Sequence, residues 1–102
     1  MLNKNKGVNM LKTITTKDEA KALTLKVAQK YVGGLVECVT FPNNDTLIIN
    51  EEGKMQDLPF NKLATDLWRK HFTKETHIFG YDDFVVGNAI VIKSDARTSG
   101  GW

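Results

Sequence analysis

The chain has 102 residues, of which 41% are hydrophobic and 25% are charged. This length predicts a single domain, and the composition excludes wholesale disorder because its apolar fraction is that of folded globular proteins. The formal net charge of +2 at pH 7 excludes a strongly acidic or strongly basic protein. The charge is unevenly placed, however: residues 1–30 hold seven lysines and two acidic residues, whereas residues 31–102 hold seven basic and ten acidic residues.

Cysteine content and hydropathy indicate the compartment. Cys38 is the one cysteine, so no intrachain disulfide can form, which favours a reducing environment. The sequence holds no run of about 18 apolar residues, and residues 1–7 lack the apolar segment of a signal peptide. We therefore expect a cytoplasmic protein without membrane association.

The chain begins with a polar stretch. Residues 1–9 show no hydrophobic periodicity and are predicted to form a flexible tail. The sequence leaves open whether Met1 or Met10 is the biological start. Residues 11–15 alternate weakly between apolar and polar side chains, which predicts a short edge strand.

A helix is predicted over residues 17–32. Thr16 and Glu19 have the spacing of a capping box, in which each side chain satisfies a free backbone N–H at a helix start. Gly33-Gly34 offers the left-handed conformation that ends helices. On this helix the apolar residues form one stripe, comprising Ala20, Leu23, Val27 and Tyr31.

A β-hairpin is predicted next. Residues 35–41 and 46–50 are rich in β-forming residues, and the Pro-Asn-Asn-Asp sequence of residues 42–45 is a strong turn signal between them. Residues 51–57 then form a charged turn around Gly53.

A second amphipathic helix is predicted from about residue 61 to residue 72, with Asn61 as its N-cap. One half of this helix is apolar and comprises Leu63, Ala64, Leu67, Trp68, His71 and Phe72. The other half is polar and comprises Lys62, Thr65, Asp66, Arg69 and Lys70. Residues 73–76 are a polar break.

Two strand-like runs close the domain, residues 84–86 and 89–92. The Gly87-Asn88 pair between them fits either a tight turn or a kink within one strand. Residues 94–102 are predicted to form a flexible C-terminal tail. The sequence thus predicts a single domain over residues 10–93, flanked by the two tails.

The predicted fold class is α+β, with two amphipathic helices packed on one side of a small, mostly antiparallel sheet of three to five strands. The alternative is a small, partly open β-barrel with a leading helix. A closed hairpin within residues 84–92 would favour that barrel.

Four short motifs occur in a fixed order. They are Val-Gly-Gly-Leu-Val-Glu at residues 32–37, Asn-Glu-Glu-Gly-Lys at 50–54, Leu-Pro-Phe-Asn-Lys-Leu-Ala at 58–64 and Gly-Asn-Ala-Ile-Val at 87–91. In this order the chain resembles, over residues 12–92, a family of short proteins of tailed phages and their bacterial hosts that is catalogued only as a domain of unknown function. The resemblance implies a small phage-encoded accessory protein acting in the host cytoplasm. It supplies no catalytic residues.

No set of residues predicts catalysis, a metal or a cofactor. His71, His77 and Cys38 lack the spacing of metal ligands, and Cys38 is expected to be an inert thiol buried in a strand. Glu51, Glu52 and Asp57 flank a glycine in an exposed turn, where nothing would raise a carboxylate pKa. We therefore predict a protein that is not an enzyme.

The candidate binding residues fall into two groups. Asn50, Glu52 and Lys54 lie on the turn that is expected to face Asn61 at the start of the second helix, where they would form a polar surface or a closed pocket. Trp68 and Phe72 lie at the edge of that helix's apolar half. These two rings either complete the core or contact a host protein or a second copy of the chain.

The favoured function is that of a non-enzymatic binder or modulator of a host macromolecule. One alternative is nucleic-acid binding through the basic N-terminal third, although the helix lysines flank the apolar stripe on both sides. The other alternative is the binding of a small ligand.

Overall fold

A computed structural model describes residues 10–72, 83–98 and 101–102 of the chain. The predicted N-terminal tail, the polar break at residues 73–76 and His77 lie outside the described residues. None of the helices in the described part has both the length and the apolar character that crossing a membrane would require.

The described elements are strands β1 (Leu11–Ile14), β2 (Val36–Thr40), β3 (Thr46–Asn50) and β4 (Ala89–Ile92), helices α1 (Lys17–Ala22), α2 (Leu25–Val32) and α3 (Lys62–His71), and a 3-10 turn at Ser94–Ala96. The strands form one sheet in the order β1-β4-β3-β2. β4 pairs in parallel with β1 and antiparallel with β3, which in turn pairs antiparallel with β2. The α+β class and the mostly antiparallel sheet are thus confirmed. The alternative β-barrel is wrong, since the four described strands form an open sheet with β1 and β2 at its two edges.

Helices cover both faces of the sheet, so their predicted placement on one side is wrong. Ile48 belongs to a core cluster with Ala28 and Val32 of α2. Leu47, its neighbour on β3, belongs to a second cluster with Phe72 and other residues at α3. Because successive strand residues point to opposite faces, each cluster fills one face of the sheet.

The predicted helix over residues 17–32 is two helices. The capping box of Thr16 and Glu19 starts α1 as predicted, but α1 ends at Ala22, with Leu23 as its C-cap. Thr24 then caps α2 by accepting a hydrogen bond from the N–H of Val27. A threonine hydroxyl that bonds the backbone in this way competes with a continuous helix.

The break rotates the buried face of the second segment. α2 buries Ala28 and Val32, whereas Val27, predicted to lie in the buried stripe, is exposed. The predicted end of the helix is confirmed, because Gly33 adopts a left-handed conformation with φ of 89°.

The predicted hairpin is confirmed. β2 and β3 pair antiparallel with Val36 opposite Asn50, and Asn44 in the turn has a positive φ of 73°. The prediction that Cys38 is buried is wrong: it is exposed, because β2 is the outermost of the four described strands.

Asn61 caps α3 as predicted, by accepting a hydrogen bond from the N–H of Ala64. The buried side of α3 differs from the apolar half that the sequence predicts. Thr65, predicted to be polar and outward, is fully buried, and Leu63 is 58% exposed. The reason is a tertiary contact: the Thr65 hydroxyl accepts a hydrogen bond from the N–H of Val85 at 2.9 Å and donates one to its carbonyl at 3.3 Å.

The Gly87-Asn88 pair forms a bend and not a hairpin turn. Val86 forms an isolated antiparallel bridge with Phe60, while residues 89–92 belong to the main sheet. Gly87 has a positive φ of 79°, and a Cβ there would lie 2.8 Å from the Leu58 side chain. Glycine is therefore the one residue that fits this position without strain or displacement.

The described residues beyond position 93 contact the domain. Ala96 is fully buried in the α1/α2 core cluster, and the Trp102 indole donates a hydrogen bond to the carbonyl of Leu23 at 2.6 Å. The predicted flexibility of residues 94–102 and the domain boundary at residue 93 stay predictions. Ala96 and Trp102 thus pack against the core that α1 and α2 form on the sheet.

Asp45 holds the hairpin turn against the segment after β4. Its carboxylate accepts hydrogen bonds from Lys93 Nζ at 2.8 Å, from the Ser94 N–H at 2.8 Å and from the Asn43 amide at 2.9 Å. Burial alone would raise the pKa of Asp45, but these hydrogen bonds outweigh it and hold the pKa below its ordinary value. The folded state thus favours the ionised carboxylate.

We expect Asp45→Asn to lower the free energy of unfolding by about 1–3 kcal/mol at neutral pH, because the charge-assisted hydrogen bonds are lost. A depressed folded pKa stabilises the fold above the unfolded value of about 3.9, and this contribution is lost as pH falls through the folded pKa. Urea unfolding at a series of pH values should therefore show the difference between wild type and Asp45→Asn shrinking in acid. Asp95→Asn, at an exposed position, is the control. A difference that is independent of pH would contradict this expectation.

Candidate functional site

A groove opens on the α3 face of the sheet, between the hairpin, the turn after β3, α3 and residues 83–86. Its cavity volume is about 160 Å³. We call it the aromatic groove and define it by the lining residues Glu37, Val39, Lys54, Met55, Trp68 and Phe84.

Lys54 is fixed at the rim of the aromatic groove by two contacts. Its ammonium pairs with the carboxylate of Asp83 and lies 4.4 Å from the centre of the Phe84 ring. Asp83 also accepts a hydrogen bond from the N–H of Phe84 at 2.8 Å, which orders the backbone beneath the ring. A cation held over an aromatic face is attracted by the ring quadrupole.

The electrostatics of Asp83 reflect the same contacts. Burial acts to raise its pKa, but hydrogen bonds from Lys54 and from the Phe84 N–H, together with the charge of Arg69, lower it below the ordinary value. Asp83 is therefore ionised at neutral pH. The pair presents both signs of charge side by side at the groove rim.

Apolar side chains extend the groove onto the surface. The rings of Phe60 and Phe84 lie 6.2 Å apart at 39° and are 50% and 41% exposed. Met55, which also lines the groove, is 84% exposed. We call Met55, Phe60 and Phe84 the aromatic patch. Clustered exposed apolar side chains beside charged groups are typical of interaction surfaces.

The structure separates the two predicted aromatic candidates. Trp68 is half-buried and lines the aromatic groove. Phe72 is only 5% exposed and packs edge-on against Phe41 at 5.3 Å and against Trp68 at 4.9 Å. Phe72 therefore belongs to the core, whereas Trp68 joins the core to the groove.

Asn50 has an architectural role. Its amide nitrogen donates to the carbonyl of Val32 at 3.1 Å and to the side chain of Gln56 at 3.2 Å, and its amide oxygen accepts from the N–H of Glu52 at 2.8 Å. Asn50 thereby ties the end of α2 to the turn after β3. The Glu52 side chain is exposed.

Asn61 is buried away from the aromatic groove. Besides capping α3, its amide nitrogen donates to the carbonyls of Met10 at 3.2 Å and Gly87 at 2.7 Å. The predicted pocket of Asn50, Lys54 and Asn61 is thus not formed as expected, because only Asn50 and Lys54 line the groove. The tertiary contacts of Asn61 turn its amide toward the sheet.

His71 stacks on the Phe41 ring, with centroids 4.4 Å apart and ring planes at 12°. Burial is the main influence that lowers the pKa of His71; Lys70 and Lys93 act in the same direction and Asp45 opposes them. The neutral imidazole is therefore favoured. Among residues 10–72, 83–98 and 101–102, no group of three or more His, Cys, Asp or Glu side chains could hold a metal ion.

Six residues of this site were not among the candidates from the sequence: Glu37, Val39, Met55, Phe60, Asp83 and Phe84. The pattern around Phe84 indicates a strand, and a strand residue can face the core as readily as solvent. Phe60 directly precedes the Asn61 cap, which marks a helix start but gives no information on exposure. No sequence signal placed these residues together, because Phe60 and Phe84 meet only through the bridge between Phe60 and Val86.

The chain was compared with protein families, with curated proteins and with solved structures. The family described as a domain of unknown function, DUF3846, matches residues 6–100. The comparisons with curated proteins and with solved structures gave no match.

Proposed function

This chain belongs to the DUF3846 family of domains of unknown function. From that premise we propose that it is a small accessory protein of the phage type. It binds a host protein and catalyses no reaction. The surface that makes the contact is the aromatic patch of Met55, Phe60 and Phe84, with Lys54 and Asp83 at its edge.

The observation that carries this proposal is the exposed pair of Phe60 and Phe84 on an ordered backbone. Asp83 and the Lys54 ammonium fix Phe84 before any partner arrives. A side chain that is already ordered loses little conformational entropy on binding, so its buried apolar area contributes more fully to affinity. Aromatic anchors of this kind dominate the energetics of protein interfaces.

The size of the groove favours a protein partner over an enclosed small ligand. A cavity of about 160 Å³ is smaller than the roughly 300–1,000 Å³ of typical ligand pockets. A partner side chain could enter the groove beside Trp68 while the partner's surface covers the aromatic patch. The adjacent charges of Lys54 and Asp83 then give the contact its orientation, because each disfavours a like charge opposite it.

We expect Phe84→Ala to abolish capture of the host protein while lowering the free energy of unfolding by only about 1 kcal/mol, since the ring is substantially exposed. The measurement is affinity capture from host extract with quantitative mass spectrometry, followed by binding of the purified partner. Leu25→Ala is the matched control, because Leu25 is also an exposed apolar residue (55%) but lies on α2, on the opposite face of the sheet.

Equal capture by Phe84→Ala and wild type would overturn the protein-binding proposal. Capture that nuclease treatment removes would assign the chain to nucleic-acid binding instead. The phage association has its own test, which is the neighbourhood of the gene. Neighbours without phage genes would argue against that part of the proposal.

A further inference from the structure

In the part of the chain that the structure describes, the outer edge of β2 carries backbone groups without hydrogen-bond partners. Phe41 donates its N–H to Asp45 at 2.8 Å, and Leu35 accepts from the N–H of Glu51 at 2.8 Å. In an antiparallel ladder such bonded positions alternate, so the N–H and C=O groups of Val36, Cys38 and Thr40 point away from β3. Over the described residues, no hydrogen bond reaches these outward groups.

β2 contains one charged residue, Glu37, and no lysine, proline or bulge. Natural edge strands are commonly blunted by lysine, proline or a bulge. The strand reads Val-Glu-Cys-Val-Thr and pairs with β3 in continuous register. Cys38 and Thr40 are exposed and Val36 is half-buried. The edge is therefore open to another strand.

The strand is complementary to itself in one register. If two copies of β2 run antiparallel about a two-fold axis at Cys38, Val36 lies opposite Thr40 of the second copy and Glu37 lies opposite Val39. All five residues are then paired, and about six main-chain hydrogen bonds can form. No two like charges face each other directly. The two Glu37 side chains are diagonal neighbours, about 7–8 Å apart.

The same register accounts for an exposed leucine. Leu35, directly before β2, is 55% exposed. With the axis at Cys38, it lies opposite Phe41 of the second copy, at the margin of that copy's α3-face core. A register centred on Val36 or Thr40 pairs fewer residues, and the register at Thr40 brings Pro42 against Cys38. Proline cannot donate to a ladder.

We propose that two copies of this chain associate by antiparallel pairing of β2 with β2, with Cys38 of one copy opposite Cys38 of the other. The two sheets then join into one continuous sheet, which removes both open edges. β2 also supplies Glu37 and Val39 to the lining of the aromatic groove. The pairing, however, uses the main-chain edge of β2 and none of the three side chains of the aromatic patch, so the self-association does not depend on the proposed function.

The first test uses Cys38 as a built-in probe. In the proposed pair the two Cys38 Cα atoms are about 5.5 Å apart, within reach of a short bis-maleimide. Because partial burial and Glu37 raise the pKa of the Cys38 thiol, while Arg97 lowers it, the reaction is run at mildly alkaline pH. The full wild-type chain is expected to give a covalent dimer on a denaturing gel.

The matched pair of variants is Thr40→Pro and Thr40→Ala. Both keep Cys38, but proline removes an N–H that points outward, without touching a bond to β3. Thr40→Pro is expected to lose the cross-linked dimer, and Thr40→Ala to retain it. Circular dichroism confirms that both are folded. No cross-link in the wild type, or equal yields from the two variants, would overturn the proposal.

The second test stands even if Thr40→Pro does not fold. Cys38→Lys and Cys38→Glu each place two like charges directly opposite one another, so each alone is expected to sediment as a monomer. Their equimolar mixture is expected to restore the dimer, and Cys38→Ser to remain dimeric. A mixture that stays monomeric while Cys38→Ser is dimeric would exclude the register at Cys38. Phe84→Ala should leave self-association unchanged, which separates this test from that of the proposed function.

Discussion

Asn61→Ala is expected to lower the free energy of unfolding by about 3 kcal/mol, because one buried amide serves three elements. It caps α3 at Ala64 and donates to the carbonyls of Met10 and Gly87. The residue is only 1% exposed, so water cannot replace the two buried hydrogen bonds, those to Ala64 and Gly87. Alanine would remove the buried hydrogen bonds to the Ala64 N–H and the Gly87 carbonyl, and unsatisfied polar groups in the interior are costly.

Thr24→Ala is the matched control for this prediction. Thr24 also caps a helix through one side-chain hydrogen bond, to Val27 at 3.2 Å, but it is exposed. Its loss should cost about 1 kcal/mol or less. Urea denaturation of both variants measures the contrast, and similar losses would show that Asn61 acts only as a cap.

Asn61→Asp separates the two roles of Asn61. An aspartate keeps the oxygen that caps Ala64 but cannot donate to Met10 and Gly87. It also buries a carboxylate. We expect Asn61→Asp to be strongly destabilised although aspartate is a good N-cap residue in exposed helices.

Phe72→Ala is expected to cost about 3–5 kcal/mol, the range for removing a buried aromatic ring from a core. Phe72 packs edge-on against both Phe41 and Trp68. Its loss leaves a cavity between the sheet and α3. Phe72→Leu, which keeps much of the apolar volume, should cost clearly less.

Leu63→Ala is the control on the same helix, because Leu63 is 58% exposed and its truncation should change the free energy of unfolding by about 0.5 kcal/mol or less. Thermal and urea unfolding measure all three variants. If Phe72→Ala lowered the free energy of unfolding only slightly but abolished capture of the partner, Phe72 would belong to the binding surface. That result would contradict its assignment to the core.

The sequence by itself determined the features that depend on neighbouring residues. The capping box at Thr16 and Glu19, the left-handed Gly33, the hairpin turn and the Asn61 cap all occur where predicted. Each rests on hydrogen bonds or backbone preferences within a few residues of the chain, so the local sequence is sufficient to encode it. The α+β class follows from these elements together.

The tertiary structure alone decided which side chains are buried and what they form. Thr65 faces the interior because Val85 supplies its hydrogen-bond partners. Cys38 is exposed because β2 is at the edge of the sheet that the described strands form. The candidate site depends on long-range contacts as well, since Lys54 and Phe60 lie between β3 and α3 whereas Phe84 follows α3. Sequence periodicity predicts on which side of its helix or strand a side chain lies. Whether that side is buried depends on where the other helices and strands pack.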